Sequence, residues 1–178
     1  TLIINPTNTP FITSDAPVIW IDEIKINEWS AIFARITPQL AISIPVNFKF
    51  MQQKILVILV TTATGKSDLA VKLSKKYKGE VISADSRQVY TGLNLGTGKV
   101  TKKEMVGIPH HLLDVASPNR VYTASNYVKQ ARKAIFEILA RGNVPIVCGG
   151  TGFYIDTLLG RMNIPEVPPN KELRKKLE

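Results

Sequence analysis

The residues with the clearest chemical potential form one eight-residue segment, Val60, Thr61, Thr62, Ala63, Thr64, Gly65, Lys66 and Ser67. An apolar run precedes the segment and a helical pattern follows it, which is the arrangement of a phosphate-binding loop. In such a loop, backbone N–H groups and the positive end of the helix dipole converge on an anion. Lys66 would add a positive charge and the Ser67 hydroxyl would hold Mg²⁺. The segment therefore predicts a diphosphate- or nucleotide-binding site.

Val60 stands where the loop pattern has glycine. If the position needs a positive φ or a close backbone approach, a β-branched residue there is strained by about 1–3 kcal/mol. The seven residues that follow still supply the amides of an anion site. The pattern therefore predicts weakened anion binding.

Asp85 is the second reactive group, because it follows the predicted strand 81–84 directly. A carboxylate at this edge of a sheet, beside an anion site, can accept a proton from a nucleophile or hold a metal ion. The alternative role for Asp85 is to cap the segment that follows. The strand that contains Cys148 ends in Gly149-Gly150, where an ATP-hydrolysing enzyme would have an acidic residue.

His110 and His111 invite a metal or acid–base interpretation, but adjacent residues on a strand point to opposite faces. A structural role is therefore the prediction for this pair. Thr151 lies in a glycine-rich segment that either approaches a ligand or makes a tight turn. Cys148, the single cysteine, is predicted to be a core residue and fits a reducing compartment.

The elements around these residues alternate between strand and helix. Apolar runs predict strands, and periodic patterns bounded by capping residues, Gly or Pro predict helices. The predicted strands are 55–60, 81–84, a short one within 108–115, and 144–148; the predicted helices are 68–77, about 123–141, 153–159 and 171–178. This alternation indicates an α/β fold, a parallel sheet flanked by helices with ligands at the carboxyl ends of the strands.

Residues 1–50 differ from the rest in composition. They contain five prolines, show no sustained period, and precede Met51, the first methionine of the chain. We expect 1–50 to be a non-native extension and 51–178 to be the catalytic core, incomplete at its C-terminal end. Residues 1–50 hold three Lys or Arg and four Asp or Glu, a net charge of −1, so the remaining 51–178 carry +10 of the chain's net +9. This charge suits an anionic partner such as nucleic acid, although a generic basic surface would look the same.

Five segments, in this order along the chain, together resemble the tRNA dimethylallyltransferase (tRNA isopentenyltransferase) family: Thr62–Ser67, Ile82–Tyr90, Gly96–Lys99, Ile108–Leu112 and Gly149–Tyr154. Lys171–Arg174 is similar to the family segment that leads toward the tRNA-gripping part. The resemblance begins near Lys54 and does not include 1–50. It implies a P-loop NTPase-like fold and transfer of a dimethylallyl group from dimethylallyl diphosphate to N6 of an adenosine next to the tRNA anticodon.

The resemblance also implies residue roles. Asp85 would be the general base, while Lys66 and Ser67 would hold the departing diphosphate with Mg²⁺ near Ser67. The tRNA-binding residues would be Asp85, Ser86, Arg87, Gln88, Thr151 and Arg174. The expected partners are the tRNA anticodon loop and dimethylallyl diphosphate. We also expect a cytoplasmic monomer. No membrane partner is expected, because no apolar run approaches the ~18 residues of a membrane span.

Two other functions compete with this one. An adenylate-type isopentenyltransferase or a small-molecule kinase would share the loop, and an inactive fragment would bind nucleic acid weakly through its charge. The segment that begins at Asp85, and the missing acid after Cys148, favour the tRNA enzyme over a kinase. Val60 and the helical pattern that runs to the end of the chain favour the inactive fragment.

Overall fold

The computed structural model describes residues 4–5, 18–23, 54–60, 64–164 and 171–177. The strands are β1 (Ile4–Asn5), β2 (Val18–Glu23), β3 (Lys54–Leu59), β4 (Gly79–Ser83), β5 (His110–His111) and β6 (Val144–Gly149). The helices are α1 (Lys66–Tyr77), α2 (Lys102–Met105), α3 (Ala124–Ala140), α4 (Gly152–Leu158) and α5 (Lys171–Leu177). Within these ranges, no helix has the length and apolarity needed to cross a membrane.

The strands form one sheet in the order β1-β2-β3-β6-β4-β5. Its four strands β3, β6, β4 and β5 are parallel, which confirms the predicted α/β fold. At the other edge, β2 pairs antiparallel with β3, and β1 pairs parallel with β2. This mixed edge was not predicted, because 1–50 lack the alternation that marks a strand. The interpretation of 1–50 as an extension outside the catalytic core stays a prediction.

Helices cover both faces of the parallel strands. Ile55 and Val57 of β3 belong to a buried cluster with α3 and α4, where the rings of Tyr127 and Tyr154 stack with centroids 4.3 Å apart. Ile58 faces the other way, into a cluster with Ala70 of α1. A strand buried on both faces is continuously apolar, which is why Ile55 to Leu59 could be recognised in the sequence.

Most helix boundaries match the predicted ones to within two residues. α3 begins after Thr123, whose hydroxyl accepts a hydrogen bond from the Asn126 N–H. The short helix α2 was not among the predicted helices. A capping box starts α2: the Glu104 N–H donates to the Thr101 hydroxyl, and the Glu104 carboxylate accepts from the Thr101 N–H. This signal was present in the sequence.

A buried acidic residue fastens the amino edge of the sheet. Glu80 of β4 is 3% exposed and accepts hydrogen bonds from Arg141, at 3.0 and 2.8 Å, and from Asn143, at 2.7 Å. His111 of β5 lies 2.7 Å from the same carboxylate. The hydrogen bonds from Arg141, supported by those from Asn143 and His111, outweigh burial and lower the pKa of Glu80 to about 2. The cluster ties the end of α3 to the sheet, opposite the edge where the predicted site lies.

Candidate active site

A cleft at the carboxyl edge of the sheet brings the predicted reactive residues together. Lys66 and Ser67, at the start of α1, line it together with Asp85, which follows β4. Gly149, the last residue of β6, lines the same cleft. The parallel order of β3, β6 and β4 produces this meeting, because their carboxyl ends share one edge.

The first turn of α1 presents a cation and a helix N-terminus at the same place. Gly65 precedes the helix with φ of 79°, a left-handed conformation that glycine adopts without strain. Lys66 is the first helical residue and is 8% exposed. The Cys148 thiol donates a hydrogen bond to the Lys66 carbonyl at 3.6 Å and so fixes α1 against β6. Such a terminus suits an anion.

Val60 joins the strand end to the core. Its side chain is half-buried against the cluster that contains Ile58 and Ala70, and its N–H donates to the Gly149 carbonyl at 3.4 Å. The described non-glycine residues with positive φ do not include Val60. The strain expected from a positive φ is therefore not found, while the effect of Val60 on anion binding stays a prediction. Thr61, Thr62 and Ala63 lie outside the described residues, and Thr64 is exposed.

Asp85 caps the segment that follows it, while its role as a base stays a prediction. One carboxylate oxygen, Oδ1, accepts hydrogen bonds from the N–H groups of Arg87, at 2.9 Å, and Gln88, at 3.3 Å. These bonds cap the turn 86–89 and fix the orientation of the carboxylate. The second oxygen, Oδ2, accepts no hydrogen bond from the part of the chain that the structure describes. The half-buried carboxylate therefore keeps an oxygen for a proton or a ligand in the cleft.

The other predicted tRNA-binding residues lie around Asp85, with the exception of Arg174. The Ser86 N–H donates to the Thr151 hydroxyl at 3.0 Å, and the Thr151 N–H donates to the Ala84 carbonyl at 3.1 Å. Gln88 is buried in the cleft wall, whereas Arg87 is exposed. Arg174 lies in α5, and its side chain is outside the described part.

Gly149 allows the end of β6 to lie close to the backbone of Ala84, next to Asp85. A Cβ atom at this position would lie 2.0 Å from the Ala84 carbonyl oxygen, a distance that no side chain tolerates. The Ala84 N–H donates to the Cys148 carbonyl at 2.8 Å in the same place. Glycine at the end of β6 is therefore required for the backbone next to Asp85 to pack. Cys148 itself is buried, as predicted, and burial raises the pKa of its thiol to about 12.

His110 is a cleft residue whose position the sequence did not reveal. It pairs in register with Val81 and lines the cleft, whereas His111 contacts Glu80. The two rings contact different groups, which agrees with the predicted opposite orientations. The Nδ1 atom of His110 lies 2.8 Å from the Ile108 carbonyl oxygen, and burial lowers the pKa of the ring. A neutral ring that donates through Nδ1 keeps Nε2 as an acceptor.

The segment Gly96–Lys99 is anchored to the site by its end. The Gln88 side-chain amide donates to the Gly98 carbonyl at 3.1 Å. The Lys99 ammonium is nearly buried and donates to the Tyr90 carbonyl at 2.7 Å while it pairs with Asp114 at 2.5 Å. Lys99 is therefore a structural cation that holds the loop to the chain beyond Asp85.

Comparison with known proteins identifies relatives that match more than two thirds of this chain. A family model described as IPP transferase matches residues 88–178, more than half of the chain. The tRNA dimethylallyltransferase of Caldanaerobacter subterraneus is 44% identical over 128 residues, which are 72% of this chain and 41% of that protein. The enzyme of the same name from Streptococcus sanguinis is 46% identical over 123 residues, 69% of this chain and 42% of that protein. The chain thus spans about two fifths of the length of these curated relatives.

Solved structures agree with the sequence relatives. The tRNA isopentenylpyrophosphate transferase of Bacillus halodurans has a TM-score of 0.59 and 38% identity, covering 68% of this chain and 40% of that one. The corresponding enzyme of Staphylococcus epidermidis has a TM-score of 0.57 and 42% identity, with 68% and 38% covered. Sequence and fold point to the same family, and the chain belongs to the IPP transferases.

Proposed function

We propose that this chain forms the catalytic core of an enzyme that transfers a dimethylallyl group from dimethylallyl diphosphate to N6 of an adenosine next to a tRNA anticodon. The observation that carries the proposal is the shared cleft of Lys66, Ser67 and Asp85. One side of the cleft suits an anionic leaving group, and the other holds a carboxylate that can take a proton. The relatives, a tRNA dimethylallyltransferase and a tRNA isopentenylpyrophosphate transferase, support the same reaction class.

The bond changes follow from this arrangement. The N6 lone pair attacks the allylic carbon, the carbon–oxygen bond breaks, and its electron pair leaves with the diphosphate. Lys66 and the N-terminus of α1 stabilise the charge that develops on that leaving group. Asp85 accepts the proton from N6 through its unused oxygen. The adenine amine is a weak nucleophile, so its positioning against the allylic carbon contributes much of the acceleration.

Magnesium fits the residues on the leaving-group side. The half-buried Ser67 hydroxyl at the start of α1 is an oxygen ligand, the type that Mg²⁺ prefers. Among the described residues, no group of three or more His, Cys, Asp or Glu could hold a metal ion. Mg²⁺ is commonly bound by one or two protein oxygens together with substrate phosphates, so an ion at Ser67 would add positive charge beside the diphosphate.

The proposed partner is tRNA, which the enzyme would bind as a cytoplasmic monomer. A base in a duplex or a stacked loop cannot reach a recessed carboxylate, so the adenosine must leave its stack. Ser86 and Arg87 are exposed, directly follow the cleft residue Asp85 in the chain, and would meet the neighbouring nucleotides. The expected contacts of Thr151 and Arg174 complete this part of the proposal.

A labelling assay tests the proposal. The chain and its Val60→Gly variant would each be incubated with radiolabelled dimethylallyl diphosphate, Mg²⁺ and an anticodon stem-loop RNA. We expect label to enter the stem-loop with both proteins, and faster with Val60→Gly because glycine restores the loop pattern. Label in free AMP instead would indicate an adenylate-type enzyme. Transfer by neither protein would indicate an inactive fragment and refute the proposal for this chain.

A further inference from the structure

We infer that a cluster of lysines beside the cleft binds the phosphate backbone of the RNA stem that carries the target adenosine. This lysine face consists of Lys72, Lys75 and Lys76 on α1 and Lys102 and Lys103 on α2. The inference rests on the proposed function and adds a second RNA-binding surface, separate from the one around Asp85.

Both helices start at the cleft. Lys66, the first residue of α1, lines it, and so does Val100, two residues before the start of α2. The two helices pack against each other, so their exposed surfaces are neighbours. With a rise of about 1.5 Å per residue, Lys72 lies about 9 Å and Lys76 about 15 Å beyond Lys66 along the helix axis. The lysine face thus leads away from the reacting groups over the length of one helix.

The burial pattern places the lysines on one side of α1. Ala70, Val71 and Ser74 are buried against the sheet, whereas Lys72, Lys75 and Lys76 are exposed. Residues three or four positions apart on a helix have neighbouring side chains, so these three ammonium groups form a continuous row. Lys102 and Lys103 are exposed on the adjacent helix.

The positive charge of this face is not neutralised locally. None of the five lysines forms an ion pair with another residue in the part of the chain that the structure describes. The acidic residues on α1 and α2 are Asp68 and Glu104, and the Glu104 carboxylate accepts two hydrogen bonds from Thr101. On α3, across the sheet, Lys133 is instead paired with Glu137 at 3.9 Å.

The distance of the lysine face from the cleft indicates which part of the RNA it would contact. Phosphates next to an adenosine in the cleft would lie near Ser86 and Arg87. Phosphates about 9–15 Å farther along α1 would belong to the paired stem, whose backbone presents regularly spaced negative charges. Lysines bind such phosphates without reading the sequence. The lysine face would therefore hold the stem while the loop enters the site.

Two matched double variants test the inference. Lys72→Gln/Lys76→Gln removes two charges four residues apart on α1, and Lys129→Gln/Lys133→Gln removes two charges with the same spacing on α3. Binding of a fluorescent anticodon stem-loop would be measured from 50 to 200 mM KCl. Each lost duplex phosphate contact lowers the slope of log K against log salt concentration by about 0.9. We expect the slope to fall by about 2 for the α1 variant and to change little for the α3 variant.

Three results would overturn the inference. Equal slope changes in both variants would indicate a general effect of net charge, and no change in either would show that α1 does not touch the RNA. If the α1 variant lost binding to phosphatidylserine vesicles but not to the stem-loop, the lysine face would be a membrane-binding surface. Circular dichroism would verify that both variants fold.

Dimethylallyl transfer separates this inference from the proposed function. With saturating stem-loop, the α1 variant should keep its turnover rate, because no reacting group has changed, while its KM for RNA rises. A wild-type chain that shows the α1-dependent salt slope but no transfer would refute the proposed reaction and leave the lysine face intact. A chain that transfers the group equally well with both double variants, at equal KM, would refute the lysine face alone.

Discussion

Among single residues, Asp85 is central to the site because its two carboxylate oxygens have different hydrogen-bond partners. Oδ1 is occupied by the N–H groups of Arg87 and Gln88, which orient the carboxylate without blocking Oδ2. A side chain held in this way costs little reorganisation when it accepts a proton. Capping and catalysis are thus compatible roles of one residue, although the sequence presented them as alternatives.

Replacement of Asp85 by asparagine should separate these roles. The amide oxygen can still accept both backbone hydrogen bonds, so the turn 86–89 should persist, but the side chain no longer takes a proton. We expect dimethylallyl transfer to fall about 10²–10⁴-fold, the usual contribution of general base catalysis. The affinity for inorganic diphosphate, measured by calorimetry, should stay the same because Lys66 and α1 are unchanged.

Asp68→Asn is the control, because it makes the same chemical change on an exposed residue of α1. Its transfer rate should match that of the wild type. Retained transfer by Asp85→Asn would contradict the assignment of Asp85 as the base.

Among the strands and helices, polar contacts stabilise the sheet at both the carboxyl ends and the amino ends of its parallel strands. At the carboxyl edge, Gly149 lets β6 and the end of β4 approach closely, and Thr151 is hydrogen-bonded to Ser86. At the amino edge, Glu80 joins β4 to Arg141, the residue that ends α3. Because β4 takes part in both, its position and that of Asp85 depend on the Glu80 cluster.

The Glu80 cluster should make stability depend on acidity. The folded-state pKa of about 2 lies below the ordinary value of 4.5, so the stabilisation is complete above about pH 4.5 and is lost as the pH falls toward 2. The difference corresponds to roughly 3 kcal/mol in the free energy of unfolding. Urea unfolding of the wild type at pH 6, 4 and 3 would measure the loss.

Glu80→Gln should be less stable than the wild type at pH 6, and its unfolding free energy should fall less between pH 6 and pH 3. Glu137→Gln removes an exposed carboxylate of the Lys133 pair and serves as the control, with an expected change of about 0–1 kcal/mol. Identical pH dependence in the wild type and Glu80→Gln would show that Glu80 does not carry the effect.

For the molecule as a whole, the labelling rate of one thiol would measure both the opening of the core and the occupancy of the proposed diphosphate site. Cys148 is the single cysteine of the chain, is 7% exposed, and donates to the Lys66 carbonyl at the start of α1. Burial raises its pKa to about 12, so almost no reactive thiolate forms at pH 8. Cys148 also lines the cleft, but because it is only 7% exposed, a bulky reagent needs β6 and α1 to separate before it can react. This opening also dismantles the proposed diphosphate site.

Labelling of Cys148 by an aromatic disulfide reagent at pH 8 should therefore be slow in the native protein and fast in denaturant. Inorganic diphosphate at 100 times its Kd should slow the native reaction about 100-fold, because the opened form cannot bind it. Potassium chloride at the same ionic strength is the control, because chloride cannot replace a diphosphate in the loop. Labelling that diphosphate leaves unchanged would show that the anion does not bind at the start of α1.

The local order of the chain could be predicted from the sequence because it depends on short-range patterns. A continuously apolar strand, Gly65-Lys66-Ser67 and a helix follow one another within a few residues, and Asp85 directly follows the next strand. The alternation of strands and helices was enough to indicate a parallel sheet with Asp85 and Lys66 at one edge. The capping box at Thr101 was equally local, although it was overlooked.

Which distant residues meet depends on the tertiary structure. That His110 enters the cleft while His111 binds Glu80 depends on the register of β5 against β4, which no local pattern fixes. The lysine rows of α1 and α2 become one face because the two helices pack together across 24 intervening residues of chain, from 78 to 101. The sequence determined the reactive groups and the elements that carry them, because periodicity and capping act over a few residues. Sheet register and helix packing arise from contacts across the whole fold, and they decided how those groups are arranged.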